Sequence, residues 1–258
     1  MANGRTLSEF QRVYIDAFDM SGYLMDTGEQ GIAYAEHPSS VLADAMTGVL
    51  PGKPTITMGP FNGVFHSNAS AEFNILADAA KGTRRYVSIA QGIRAAPVMG
   101  DDVFCAPMYQ TAFKMVGSEV VTINLQVAGP DASFGMLYDE FWGKLLHTYT
   151  QATAANTADT NVDNGDDSHA GGWMIYHIGV IGGGAGTVTI SIDDSTNGTS
   201  WTPLSGATSG AIAYNAASPF GIVQLGVTAT IKQYTRWQYS EAGGATDATF
   251  ALAFVRGR

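Results

Sequence analysis

The sequence predicts a mainly β protein in two parts, and three observations carry that prediction. Apolar and polar residues alternate at period two over many short stretches, glycine is abundant at 31 residues, and only 14% of residues are charged. These figures exclude a coiled coil, an all-helical bundle and a charge-driven disordered chain. With 258 residues and 45% hydrophobic content, the chain can bury one large core or two ordinary ones. A net charge of −10 argues against an electropositive nucleic-acid clamp, and the single Cys105 has no internal disulfide partner.

In chain order, Met1 to Phe10 has no apolar run, so no secretory signal is expected, and no 18-residue apolar stretch predicts a membrane-crossing helix. Arg12 to Phe18 alternates as a strand and ends at a turn containing Gly22. Gly28 to Pro38 reads as a long polar loop. A short helix fits Ser39 to Met46. An amphipathic helix fits the stretch from Ser67 or Asn68 to Ala80, with Phe73, Leu76, Ala77 and Ala80 on its apolar face and Gly82 as its stop. Tyr86 to Ala90, Ala112 to Val116 and Glu119 to Val127 read as strands. Residues 1–150 are thus expected to form a β-sandwich or barrel with one packed α-helix.

Residues 151–167 are small and polar, with Val162 the one large apolar side chain, and are expected to be a linker. Residues 1–150 carry a net charge of −6 and residues 151–258 a net charge of −4, so both halves are acidic. Residues 168–258 read as an antiparallel, immunoglobulin-like β-sandwich. Trp173, Ile175, His177 and Gly179 share one face of a strand, and Met174, Tyr176, Ile178 and Val180 the other. Val188, Ile190 and Ile192 alternate with polar residues, and Asn197-Gly198 marks a hairpin. Ile222 to Ala229 and Tyr234 to Tyr239 are strand-like, and Ala248 to Val255 places Phe250, Leu252 and Phe254 on one side.

No enzyme signature emerges, so no catalytic, cofactor-binding or metal-ligating residue is assigned. His37, His66, His147, His169 and His177 lack metal-ligand spacing and read as isolated surface or loop residues. The doublets Asp101-Asp102, Asp139-Glu140, Asp166-Asp167 and Asp193-Asp194 point to opposite faces of any strand and suit turns and solubility better than acid–base work. Asp163 to Asp167 faintly resembles a Ca²⁺ loop but lacks the closing glutamate. Gly182 to Thr187 lacks the lysine of a phosphate loop and is expected to be a hairpin loop. Cys105, between Phe104 and Ala106, reads as a buried inert thiol. The second half is rich in aromatics, among them Trp173, Trp201, Tyr214 and Trp237. They are expected mainly in the core, with weak stacking on host glycans as the alternative.

Taken together, these elements resemble the tail tube (major tail) proteins of long-tailed bacteriophages, in the variety with a C-terminal β-sandwich. The residues that carry the resemblance are Asp19-Met-Ser-Gly-Tyr-Leu24 after the opening strand, Val162-Asp-Asn-Gly165, Gly171-Gly172-Trp173, Ile190 to Trp201, Tyr234-Thr-Arg-Trp-Gln-Tyr239 and Thr249 to Arg256. Met20 stands where leucine is usual, and Gly100 to Pro107 has no counterpart. The resemblance implies a virion tail protein made in the host cytoplasm, neither an enzyme nor dependent on a cofactor. Its partners would be other copies in stacked, usually hexameric rings, the tape measure and the tail terminator. Phage DNA would cross an acidic lumen without specific binding, and Gly28 to Pro38 would be a candidate for ring-to-ring contact. A capsid decoration or head-fibre protein and, further off, a glycan-active enzyme with a sugar-binding domain remain open.

Overall fold

The computed structural model describes residues 8–38, 49–64, 83–93, 95–117, 122–129, 136–153 and 160–257. Both helices expected from the sequence, over Ser39 to Met46 and up to Ala80, lie outside them. After a 3-10 turn at Ser8–Phe10, the described elements are strands: β1 (Gln11–Ile15), β2 (Phe18–Asp19), β3 (Leu24–Asp26), β4 (Glu29–Pro38), β5 (Val49–Gly59) and β6 (Phe61–Val64). They continue with β7 (Arg84–Gln91), β8 (Asp102–Val116), β9 (Thr122–Ala128), β10 (Trp142–Ala152), β11 (Val162–Asp163) and β12 (Gly172–Ile181). The last six are β13 (Thr187–Ser195), β14 (Thr202–Thr208), β15 (Ile212–Ala213), β16 (Phe220–Gln224), β17 (Tyr234–Ala242) and β18 (Ala248–Arg256).

An 11-stranded antiparallel sheet runs β16-β12-β18-β10-β8-β7-β1-β2, with β9, β6 and β3 added beyond β8. A five-stranded sheet has the order β11-β17-β13-β14 with β15 beside β13, and β4 and β5 form a two-stranded arm. The large sheet curls on itself: His177 in β12 reaches both Ser88 in β7 and the backbone of Asp16 after β1. Inside the curl lies one core, in which Trp173, Ile175, Ala251, Ala253 and Val255 meet Val13, Ile15, Val87, Ile89 and Val103. On the opposite face of β12 and β18, Met174, Tyr176, Ile178, Phe250, Leu252 and Phe254 meet Val188, Ile190, Ile192 and Tyr239 of the smaller sheet. Period-two alternation along two adjacent strands thus feeds two cores at once.

This arrangement crosses the boundary drawn near residue 150. β10 spans that position and lies between β8 on one side and β18 on the other. Strands from both expected parts therefore share one sheet.

Four further readings are corrected. Arg12 to Phe18 is not one strand: Asp16 adopts φ 55°, and β1 folds back on β2 with Ile15 opposite Phe18. Gly28 to Pro38 is not a loop, since Glu29–Pro38 is β4 of the arm, whose period-two pattern is masked by small and polar residues. Gly182 to Thr187 does not close a hairpin; it carries the chain from the large sheet to the small one. Only glycine fits there: Gly183 and Gly186 have φ of 90°, and a Cβ on either would collide with the carbonyl of Gly244 or Ala242. Finally, Ile222 to Ala229 yields strand only over the residues of β16. The Asn197-Gly198 turn forms between β13 and β14, with Asn197 Oδ1 accepting from the Thr199 and Ser200 amides at 3.0 and 2.8 Å.

Phe250 is fully buried, stacked on His147 at 4.1 Å between ring centroids and in contact with Trp237 and Tyr239. Phe250→Ala should lower stability by about 3–5 kcal/mol, read as a drop in the urea midpoint. Val180→Ala, at an exposed position past the bulge in β12, should change it by less than about 0.5 kcal/mol. Equal effects from the two variants would contradict the shared-wall packing.

Candidate functional site

Chemically versatile side chains gather in three places: a buried polar centre, an acidic groove and the β4–β5 arm.

The buried centre forms where the large sheet meets itself. Arg85 Nη1 donates to Asp16 Oδ2 at 2.6 Å and Arg85 Nε to Gln110 Oε1 at 2.9 Å, while the Tyr86 amide donates to Asp16 Oδ1 at 2.9 Å. His177 Nδ1 lies 2.7 Å from the Asp16 carbonyl, which only accepts, so Nδ1 carries the proton and Nε2 accepts from Ser88 Oγ at 2.8 Å. Burial pushes the Asp16 carboxyl up, and the Tyr86 amide and Arg85 pull it back. Burial also lowers His177 to about 4. This chain of serine, histidine and carbonyl superficially resembles a nucleophile with its base, yet Ser88, His177 and Asp16 are all buried. With no room for a substrate, the centre is an internal tie between β7, β12 and the β1–β2 turn. Cys105, paired opposite Ser88, is fully buried and its thiol is pushed up to about 12, which keeps it protonated and inert.

The histidines do not all behave as surface residues. His147 is buried too, its Nδ1 2.9 Å from the Phe250 carbonyl, and burial lowers its pKa. His37 and His169 are exposed, and His66 lies outside the described residues. A buried imidazole is tolerated because each ring faces oxygen partners the local sequence does not reveal.

The acidic doublets divide in the same way. Asp193 and Asp194 are buried rather than solubilising. Asp193 Oδ2 accepts from Arg236 Nη2 at 3.0 Å and from Gln238 Nε2 at 2.9 Å; Asp194 Oδ1 meets Lys232 Nζ at 2.9 Å. Arg236 also lies 4.4 Å from the Trp201 ring centroid. Within Asp163 to Asp167, Asp163 Oδ1 accepts from the Gly165 amide and Gln233 Nε2, and Asp167 Oδ1 from the Gln233 amide. These hydrogen bonds hold the Asp163 carboxyl below its usual range. Among the described residues no three His, Cys, Asp or Glu side chains gather where they could hold a metal ion.

The groove beside this segment encloses about 810 Å³. Its walls come from the start of β10, the start of β8, the end of β18 and residues 163–170. The second-half aromatics are mostly elsewhere. Trp173, Tyr176 and Tyr239 are buried, Trp237 packs on His147, Trp201 is half-buried beside Arg236, and Tyr214 is at the surface. Sequence reasoning passed over Trp142, which opens β10 and stays exposed.

The arm's base is packed through Ile56 and Met58, and Ile32 leans on the same core. Farther out, Ala33 to His37 of β4 and Leu50 of β5 are exposed. Met115 and Val116, at the far end of β8, are likewise exposed.

No family model and no curated protein match this sequence. Among solved structures the chain is similar to the Dit protein (gp 19.1) of phage SPP1, described as a paradigm of the hub adsorption apparatus in phages that infect Gram-positive bacteria. The identity is 10%, the TM-score 0.34, and the match covers 95% of this chain and 98% of that one.

The buried histidines set a pH dependence. Below 6.5 the unfolded chain takes up a proton that folded His177 refuses until about pH 4, so stability falls as pH drops through that window. The full effect amounts to roughly 3 kcal/mol for His177, and His147 acts in the same direction. His177→Gln should flatten the stability–pH slope between those limits in urea titrations, whatever its cost at neutral pH. An unchanged slope would remove His177 from this role.

Proposed function

We propose that the chain is a structural subunit of a bacteriophage tail, and specifically a tube subunit whose copies close edge to edge into stacked rings around the path of the DNA. The sequence resemblance motivates this reading, and the β4–β5 arm is the observation that carries it. A two-stranded ribbon of 10 and 11 residues, packed at its base through Ile32, Ile56 and Met58, with Ala33 to His37 and Leu50 exposed and Tyr34 reaching Asp139, has little of the burial that keeps such a ribbon ordered in water. A neighbouring copy would supply that burial, and the ribbon's outer backbone edges, which among the described residues pair with no further strand beyond the Ile56–Gly129 bridge, are a ready template for pairing with it. Leu50, Tyr34, Met115 and Val116 provide exposed apolar or aromatic contact surface.

In this reading the work is mechanical. The excess of carboxylates repels phosphate, so DNA slides through the conduit without binding sites along its wall. The smaller sheet, outside the curl, decorates the tube, and the tape measure and tail terminator are the further partners. The protein is made in the host cytoplasm and ends in the virion tail.

Concentrated protein should show annular or tubular particles by negative-stain microscopy. A variant with residues 33–55 replaced by Asn-Gly keeps the Ile32–Ile56 pair that closes the arm's base. It should retain its strand-rich circular dichroism yet run as a monomer in light scattering. Rings or tubes from the shortened variant would remove the arm from assembly, and a purely monomeric intact chain would overturn the tube itself.

A further inference from the structure

We propose that the groove between residues 163–170 and the sheet surface formed by β8, β10 and β18 binds a neutral oligosaccharide, with Trp142 as its stacking platform. At about 810 Å³ the cavity is of the size that accommodates a small ligand. Trp142 is 42% exposed, and Phe104 packs on it at 4.9 Å between ring centroids, which braces the indole while leaving much of it open. A braced, exposed indole offers apolar surface to the C–H face of a pyranose at little conformational cost.

The rest of the lining is polar and mixed in character. Asp102 and Asp166 present acceptors, and Lys144, His169 and Arg256 present donors. Lys144 Nζ lies 2.7 Å from Asp102 Oδ1, and Arg256 Nη2 donates to the Asp166 carbonyl at 2.6 Å, so these groups stand in place before any ligand arrives. Sugar hydroxyls donate and accept at once and match such a set. Phosphate- or sulfate-bearing polymers would meet a lining with more carboxylates than cations. A basic peptide would find three of the four carboxylates already engaged, Asp102 by Lys144, Asp163 by Gln233 and the Gly165 amide, and Asp167 by the Gln233 amide, and an apolar peptide would find Trp142 as the exposed aromatic ring beside a buried Phe254. Neutral sugar is the chemistry that uses every part of the surface.

The site differs from the one expected from the second-half aromatics, and it does not depend on ring assembly. Both sides of residue 150 build it, so the intact chain is the sample to test. Maltohexaose, cellohexaose and chitohexaose should be titrated to millimolar concentration while tryptophan fluorescence and saturation-transfer NMR are followed. At least one should give a saturable response. Trp142→Ala should weaken it about tenfold or more, Asp166→Ala should weaken it too, and Trp201→Ala on the smaller sheet should leave it intact. Dextran sulfate should give no response. The proposal is overturned if all three neutral sugars are silent, if both groove variants bind normally, or if dextran sulfate binds more tightly than they do. Loss of binding through misfolding of Trp142→Ala is separated by its circular dichroism and by the exposed Asp166→Ala substitution.

Discussion

The fold depends on two strands that serve as a common wall. β12 and β18 pair along nearly their whole length, and each is apolar on both faces. Toward the curled sheet β18 offers Ala251, Ala253 and Val255, which leave room for Trp173 and Phe141. Toward the smaller sheet it offers Phe250, Leu252 and Phe254. Small residues on one side and large ones on the other let a single sheet be close-packed against two differently shaped neighbours. The two cores are therefore not independent units, because loosening the wall exposes apolar surface on both sides.

Much of this was legible locally. The alternation in β12, β13 and β18, the Asn197-Gly198 turn and the burial of Cys105 all follow from period and residue type. Pairing between distant strands was not legible, since a strand's neighbours are chosen by complementarity of whole faces. β10 looked like the end of one part because the small, polar stretch after it signals a break, although its own residues pair with β18. His177 looked like a stray imidazole because its partners, Ser88 and Asp16, are 89 and 161 positions away. Trp142 was passed over for a similar reason: its significance comes from the groove, whose other walls are remote in sequence.

The internal ion pairs change what the net charge means. Asp16, Asp193 and Asp194 are buried against Arg85, Arg236 and Lys232. Those pairs leave the total at −10 but take three acids and three bases out of circulation, so the remaining residues carry twenty acids to ten bases. The surface is thus more one-sided than composition suggests. Desolvating such pairs costs stability, but each is held by additional hydrogen bonds, and in the case of Asp16 the pair fixes the β1–β2 turn.

The position of β18 in the strand order also governs when the protein can become itself. Seventeen of the described strands precede it, yet it occupies the slot between β10 and β12 that both cores require. A growing polypeptide must hold its earlier segments, with their unpaired edges and uncovered apolar faces, until residues 248–256 emerge. Such dependence on contacts remote in sequence slows folding and lengthens exposure to aggregation.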